Sequence, residues 1–371
     1  MRELYQDANM LYRRADSDDD KALREMLSQN SMDSWVNLSF EREPSYFDAH
    51  NIMGESYTMV AVDTNTNSYV GMYTCTYMDM YLNGDVQEVA YLRELRLNEK
   101  YRNKIRILKN GYKSLHTLLP KKEIEPLYIT SVASQNSKAR KVLEAGLKGM
   151  PTYTPLAKMN TLIFSSDFTP EQKKLKQATK QDVTRIAKFY KSFISSYQFA
   201  PHISEQWLSE LPAKTGLSIG DFYIVEDGSG NIETCLALWD QRAFKQSVIK
   251  GYKPPLCQLR PLYNLFAKLS TRVLLPQVNS MLEQIYIAFF ACTNDELQLD
   301  AIKEAAQIAK SKGASSCILG LSSEHPSVDV LKKKLKADVY ETDIEMVNLD
   351  GKEATLMLDK ERLIQPEVAL L

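Results

Sequence analysis

Lys100, Arg102, Lys104 and Arg106 place four cations within seven residues of chain. They sit where an alternating, strand-like segment gives way to a helical one. The first turn of a helix presents unpaired backbone N–H groups, and cations added there attract anions, phosphate foremost. The same run is equally compatible with a solvated first turn, because charge runs are common on surfaces. The other chemistry-bearing residues offer less. His50, His116, His202 and His325 are far apart and have no short ligand spacing, which argues against a metal site. Cys75, Cys235, Cys257, Cys292 and Cys317 are odd in number and lack any Cys-x-x-Cys pair, so reduced, cytoplasmic thiols are expected.

The elements that must position the basic turn follow from periodicity. From Glu88 to Leu97 the apolar residues Tyr91, Leu95 and Leu97 share one face, and Glu88, Glu94 and Arg96 mostly the other, the period of a strand. Ile105, Leu108, Tyr112, Leu115 and Leu119 recur at three- and four-residue steps, a helical stripe. Upstream, a short strand over 9–14 and a capped helix lead to a hairpin of 57–63 with 69–80 around Asn65-Thr66-Asn67. Downstream come a strand over 127–133, a helix over 136–145 closed by Gly146, and a β-prone run over 152–164.

With 371 residues, 44% apolar and 25% charged, the chain predicts two soluble domains. A formal net charge of −1 gives the whole molecule no electrostatic reason to seek nucleic acid or acidic membrane, so neither is expected as a partner. No apolar run reaches membrane-spanning length, and the first residues lack the apolar centre of a signal peptide.

The second half repeats the order of the first. Ala15 and Ala178 each precede an aspartate by four, Asp19 and Asp182, and 178 − 15 = 163. The hairpin tips Thr66 and Ser229 give the same offset, 229 − 66 = 163. Val132 and Leu321 differ by 189, so an insertion of 189 − 163 = 26 residues is expected, placed within 251–282 where Pro254, Pro255, Pro261 and Pro276 interrupt regular structure.

The order strand, helix, hairpin, long strand, basic turn, helix, strand, helix, strand resembles the Gcn5-related N-acetyltransferase (GNAT) superfamily, and the chain resembles two such units in tandem. The match is best at Tyr91-Leu-Arg-Glu-Leu-Arg-Leu-Asn-Glu-Lys-Tyr-Arg102, similar to the family's fourth strand and the start of its pyrophosphate loop, and at Asn136-Ser-Lys-Ala-Arg140. Gly149-Met-Pro-Thr-Tyr-Thr-Pro155, Trp239-Asp-Gln-Arg242 with Phe244-Lys-Gln246, and Pro366-Glu-Val-Ala-Leu-Leu371 also resemble bacterial tandem GNAT proteins. The resemblance implies an α/β (α+β) fold of two GNAT-like domains, 1–168 and 169–371, each a mixed, mostly antiparallel sheet flanked by helices.

It also implies acetyl-CoA as cofactor, bound by Leu95, Arg96, Leu97, Arg102, Lys104, Arg106 and Asn136, with acetyl transfer to a small-molecule amine. Such transfer needs a group to take the ammonium proton. Glu88 and Glu94 are the carboxylates on the strand, roughly 20 Å apart when extended. Glu94, nearer the phosphate turn, is the expected base; a cross-strand partner for Arg93 or Arg96 is its other role. The departures are specific. Ile105 and Ile107 stand where the family has small residues, which hinders close backbone cradling. Leu143 replaces a frequent general-acid tyrosine, leaving Tyr153 as the substitute. The second half's counterpart turn, Thr293-Asn-Asp-Glu-Leu297, has no cation and two acids, so that half is not expected to bind the cofactor in the same way. Those departures keep open a non-catalytic tandem scaffold that binds a small molecule or a protein.

Overall fold

The computed structural model describes residues 4–32, 35–48, 50–52, 54–211, 216–270, 272–350 and 358–371. In the first half lie β1 (Leu4–Asp7), β2 (Met10–Arg14), α1 (Asp20–Gln29), β3 (Val36–Glu41), β4 (Ser56–Asp63), β5 (Ser68–Leu82), β6 (Asp85–Leu97), α2 (Ile105–Leu118), β7 (Leu127–Ala133), α3 (Ser137–Leu143) and β8 (Thr152–Ser165). The second half holds β9 (Lys176–Gln177), α4 (Val183–Ile194), α5 (Glu205–Ser209), β10 (Phe222–Glu226), β11 (Ile232–Trp239), β12 (Gln246–Tyr252), α6 (Leu256–Ser270), β13 (Gln284–Cys292), α7 (Asp295–Ser311), β14 (Ser316–Ser322), α8 (Val328–Lys334) and β15 (Asp338–Asn348).

The repeat is written in local chemistry. Asp16 with Asp19, and Thr179 with Asp182, each form a capping box ahead of α1 and α4, and 179 − 16 = 182 − 19 = 163. Each box satisfies backbone N–H groups that the helix start leaves unpaired. The hairpin tips turn through positive φ at Asn67 and Gly230, again 230 − 67 = 163 residues apart.

Thirteen strands form one sheet in the order β1-β2-β4-β5-β6-β7-β15-β8-β14-β13-β11-β10-β9. Read from each end inward, β2-β4-β5-β6-β7 and β9-β10-β11-β13-β14 are equivalent series, parallel only at β6–β7 and β13–β14. The centre is exchanged: β15 of the second half pairs with β7, while β8 of the first half pairs with β14. The sheet therefore runs without a break past residue 168, after which the sequence places a boundary. β3 and β12 stand apart as a two-stranded antiparallel pair, one strand from each half.

Helices cover both faces of each half. In the first, α1 buries Leu23, Met26 and Leu27 against Val60, Val62 and Met72, while α2 buries Ile107, Leu115 and Leu118 among Tyr12, Met59 and Cys75 on the other face. In the second, α4 packs Ile186 and Tyr190 on Ala237 and Trp239, and α7 packs Ile302, Ala305 and Ala309 on Leu238, Ile285 and Leu319. Truncating a fully buried leucine such as Leu23 to alanine costs about 2–5 kcal/mol.

Two expectations need correction. The segment 251–282 is not irregular: it contains the fifteen-residue helix α6 with Pro261 inside it. The apolar spacing Leu259, Leu262, Phe266, Leu269 is helical and outweighs the one backbone hydrogen bond that Pro261 removes. The simple alternation along 88–97 also fails, because a bulge interrupts β6 at Glu94.

Candidate functional site

On β5–β6 the pairing passes from Met72↔Arg96 to Thr74↔Arg93, so Glu94 and Leu95 together oppose Tyr73, and Glu94 takes φ = 57°. On β11–β13 it passes from Cys235↔Ala291 to Ala237↔Ala288, and Phe289 takes φ = 52°. Each half thus carries the same one-residue bulge at the same strand. Just before each bulge the parallel ladder ends, at Leu92↔Thr130 in the first half and Tyr286↔Ile318 in the second. Beyond those points neighbouring strands part, giving two wedges.

The second wedge is filled by the chain's own residues. Glu367 accepts hydrogen bonds from the backbone N–H of Phe289 (2.6 Å) and of Ala369 (2.9 Å). Gln365 accepts from Ser322 N–H and donates to the Gly320 carbonyl. Val368 presses so closely on Gly320 that a Cβ there would lie 2.1 Å from a Val368 methyl. The first wedge is bordered by side chains instead: Leu95 across from Val132, with Leu108, Leu143 and Met150 in the same apolar cluster.

Glu94 is the hub of a charged cluster. It accepts from Arg42 Nε (3.1 Å) and Nη2 (2.7 Å) and from the Tyr46 hydroxyl (2.6 Å), and Arg93 Nη1 lies at 3.2 Å. Tyr46 continues the network to Thr74 and Thr58, and Thr58 to His50 Nε2 at 2.8 Å. His50 and Thr58 border a cavity of 520 Å³. Burial alone would raise the Glu94 carboxyl; Arg42, Arg93 and the Tyr46 hydroxyl more than reverse this and hold it far below the usual carboxylate range. A carboxylate so weakly basic is poorly suited to taking an ammonium proton, so this environment favours the ion-pair role for Glu94 over the base role.

The β3–β12 pair brings the second half to this cluster. Gln246 is in register with Glu41, so Lys245 and Arg42 both lie just past the end of that ladder. The Gln246 amide clamps the loop by accepting from Glu43 N–H and donating to the Glu43 carbonyl, both at 2.9 Å. Lys245 Nζ donates to the Leu371 carbonyl at 3.0 Å and lies 5.6 Å from the centre of the Tyr286 ring. Burial, then Arg42 and Arg93, pull the Lys245 ammonium down to about 7, against the opposing pull of Glu94 and Glu367. Burial pushes the Glu367 carboxyl up to about 7, moderated by its two N–H donors and Lys245. Both groups are thus shifted toward neutrality, whereas Glu94 is shifted away from it.

The other expected residues are placed as follows. Asn136 caps α3, accepting from Ala139 N–H at 3.2 Å. Arg96, partly buried, donates to the Leu95 carbonyl at 3.0 Å. Leu97 packs in the core on Gly71. In the basic turn α2 begins at Ile105 with Lys104 as its N-cap and no side-chain cap. Lys104 lies over the Tyr101 ring, Arg102 donates to Asn30 (2.6 Å), and Arg106 makes a two-pronged pair with Asp7. Ile107 turns into the core, where Tyr12 reaches its carbonyl, so its side chain does not obstruct the turn. Leu143 is buried, and Tyr153 shares a 2.5 Å hydroxyl contact with Tyr112. Arg42, Tyr46, Lys245 and Glu367 escaped sequence reasoning as site residues. The available signal lay in Phe244-Lys-Gln246 and Pro366–Leu371, family-like segments that fold together here: besides the Lys245 contact, the Gln241 amide donates to the Ala369 carbonyl.

No family model and no curated protein sequence matches this chain. Among solved structures it is similar to Saccharomyces cerevisiae N-myristoyltransferase with bound myristoyl-CoA, with TM-score 0.61, 11% identity, and coverage of 93% of this chain and 80% of that one. A structure of the same yeast enzyme with myristoyl-CoA and inhibitors gives TM-score 0.61 at 10% identity, covering 94% and 82%. A conserved Enterococcus faecalis protein described as a probable N-acyltransferase gives TM-score 0.47 at 10% identity, covering 91% and 71%. With the paired bulges and wedges, the likeness to the yeast enzyme shows that this chain has the tandem GNAT fold, the acyl-CoA N-acyltransferase fold.

Proposed function

We propose that the protein is an acyl-CoA-dependent N-acyltransferase whose cofactor lies along the first half, from the Glu94 bulge to the start of α2. The asymmetry of the two wedges carries this: residues 365–369 fill the second, while the first leads to an uncapped helix start with Lys104, Arg102 and Arg106 beside it. An acyl-CoA supplies a thioester carbon for the amine nitrogen to attack, with the C–N bond forming, the C–S bond breaking and the thiolate leaving. The yeast structures hold myristoyl-CoA, whereas the sequence resemblance points to acetyl-CoA and a small-molecule amine; the acyl chain length is part of the test.

The chain's own residues divide the work. Lys104 and the first N–H groups of α2 hold phosphate directly; Arg102 and Arg106 join by releasing Asn30 and Asp7. Lys245 and Glu367, poised near neutrality, exchange the ammonium proton, since a general base works best with a pKa near the working pH. Glu94 keeps Arg42 and Arg93 in place.

A thermal-shift panel from acetyl-CoA to long-chain acyl-CoA, followed by free-thiol release with an amine library, tests the proposal. Acyl-CoA should raise the melting temperature, and Arg102→Ala with Lys104→Ala should weaken that response roughly tenfold in concentration. If no acyl-CoA shifts the melting temperature, the tandem scaffold takes its place.

A further inference from the structure

The inserted arm, which the acyl-transfer chemistry does not use, has an outward face unlike the rest of the surface. On α6 the exposed side chains include Leu259 (50%), Leu262 (66%), Leu265 (61%), Phe266 (57%) and Leu269 (83%). At 100° per residue these five fall within a stripe about 120° wide. The helix is held to the protein by a different face: Ala267 is buried, Tyr263 donates to the Val273 carbonyl, and the Asn264 amide pairs with the backbone of Leu275. The apolar stripe is thus not the anchoring surface, and a contiguous apolar face of this kind on a soluble chain marks a contact.

Charge decides what the contact is. From 250 to 282 there are five basic residues, Lys250, Lys253, Arg260, Lys268 and Arg272, and no Asp or Glu, in a chain whose formal net charge is −1. Lys250 pairs with Glu41 (2.7 Å) and Arg272 lies 4.0 Å from Asp338, both acids from outside the arm, so the contact is assigned to Lys253, Arg260 and Lys268. Lys336 Nζ donates to the Ser270 carbonyl, which sets the exposed last-turn lysines of α8, Lys332, Lys333 and Lys334, beside the end of α6. A second copy packed face to face through this helix would bring these cations against their own equivalents with no acids from the arm to pair them. An anionic lipid surface meets both features, because apolar side chains enter the headgroup boundary while flanking lysines reach lipid phosphates. We propose that α6 docks on an anionic membrane surface, lying in the interface rather than spanning it.

The test uses the full chain with phosphatidylcholine vesicles and with mixed phosphatidylcholine–phosphatidylglycerol vesicles. Co-sedimentation should occur with the mixed vesicles only and weaken as salt is raised. Lys268→Ala should lower partitioning about fivefold, the loss for one cation near an anionic surface, and Leu262→Glu with Phe266→Glu should abolish it. Both sites are exposed, and unchanged thermal unfolding of the variants checks that the fold is kept. As a readout independent of affinity, Leu262→Cys in a Cys257→Ser background can carry an environment-sensitive fluorophore, since the other four cysteines are buried; its emission should rise with the mixed vesicles. Absence of binding, equal binding to neutral vesicles, or a stable dimer that Leu262→Glu with Phe266→Glu dissolves would overturn the proposal, the last by assigning the face to a second copy.

Discussion

Replacing Glu94 by glutamine separates an anchor from a base. The side chains of Glu94, Arg42 and Arg93 are 13%, 13% and 12% exposed, so removing the carboxylate leaves two largely buried guanidinium groups facing each other. Breaking a buried pair in this way costs about 3–5 kcal/mol. Glutamine still offers one oxygen to Arg42 but turns an amide NH₂ toward the remaining donors, so the low end, about 3 kcal/mol, is expected, or roughly 4 °C in melting temperature for a chain of this size. The pH dependence has a fixed sign. The folded pKa of Glu94 is depressed, so its contribution is complete above the unfolded carboxylate value, about 4.3, and is lost as pH falls toward the folded value. The stability gap between wild type and Glu94→Gln should therefore be flat from neutral to mildly alkaline pH and close only in acid. Thermal and urea unfolding at several pH values measure it, and Arg42→Gln in the same background should cost much less than it does alone. The reasoning fails if Glu94→Gln is as stable as wild type while turnover drops a hundredfold or more, the signature of a general base.

Gly320→Ala should expel the tail from the second wedge, because its Cβ would lie 2.1 Å from Val368; a loss on the order of 2 kcal/mol and faster proteolysis within 364–371 are expected. Glu367 has a raised folded pKa, about 7, so its contribution to stability is present below the unfolded value and is lost as pH rises through 7. Glu367→Gln should therefore gain on wild type between about pH 5 and 7, by at most about 3.5 kcal/mol, and level off above that, as chemical denaturation across pH would show. A chain cut after residue 168 should be insoluble or unfolded by circular dichroism, since it leaves β7 without β15 and β8 without β14.

The equivalence of the halves was legible because it is written in local signals: aspartates at capping positions and turn residues at hairpin tips recur at one fixed offset. The wedges were not. A bulge leaves almost no trace in alternation, and at Glu94 the only hint is a charged residue one step out of phase. Nor could spacing show that β8 and β15 trade partners, because each reads as an ordinary strand whichever sheet it joins. Arg42 and Lys245 were hidden for a related reason. They are 203 residues apart, and only the β3–β12 register brings their backbones together. In 251–282 four prolines carried more weight than a helical stripe because that stripe faces outward, where no core pattern supported it.

The two bulges explain why a duplicated fold need not keep two sites. The same kinked position carries Glu94 in one half and Phe289 in the other, and the aromatic is stacked on Phe222 (6.1 Å) and Trp239 (6.0 Å). With Glu367 on its N–H and Tyr190 on its carbonyl, the Phe289 bulge has its backbone groups satisfied without any ligand. A backbone committed in this way makes a firm wall, and that wall fixes Glu367 within reach of the charge on Lys245. The Glu94 bulge spends its side chain, rather than the chain's tail, on securing Arg42 and Arg93. In the function proposed above, neither half holds a complete set of acyl-transfer groups: the cations for phosphate come from the first and the groups shifted toward neutrality from the second. The pairing of β3 with β12, which crosses between the halves, is then the element on which alignment of the two sets depends.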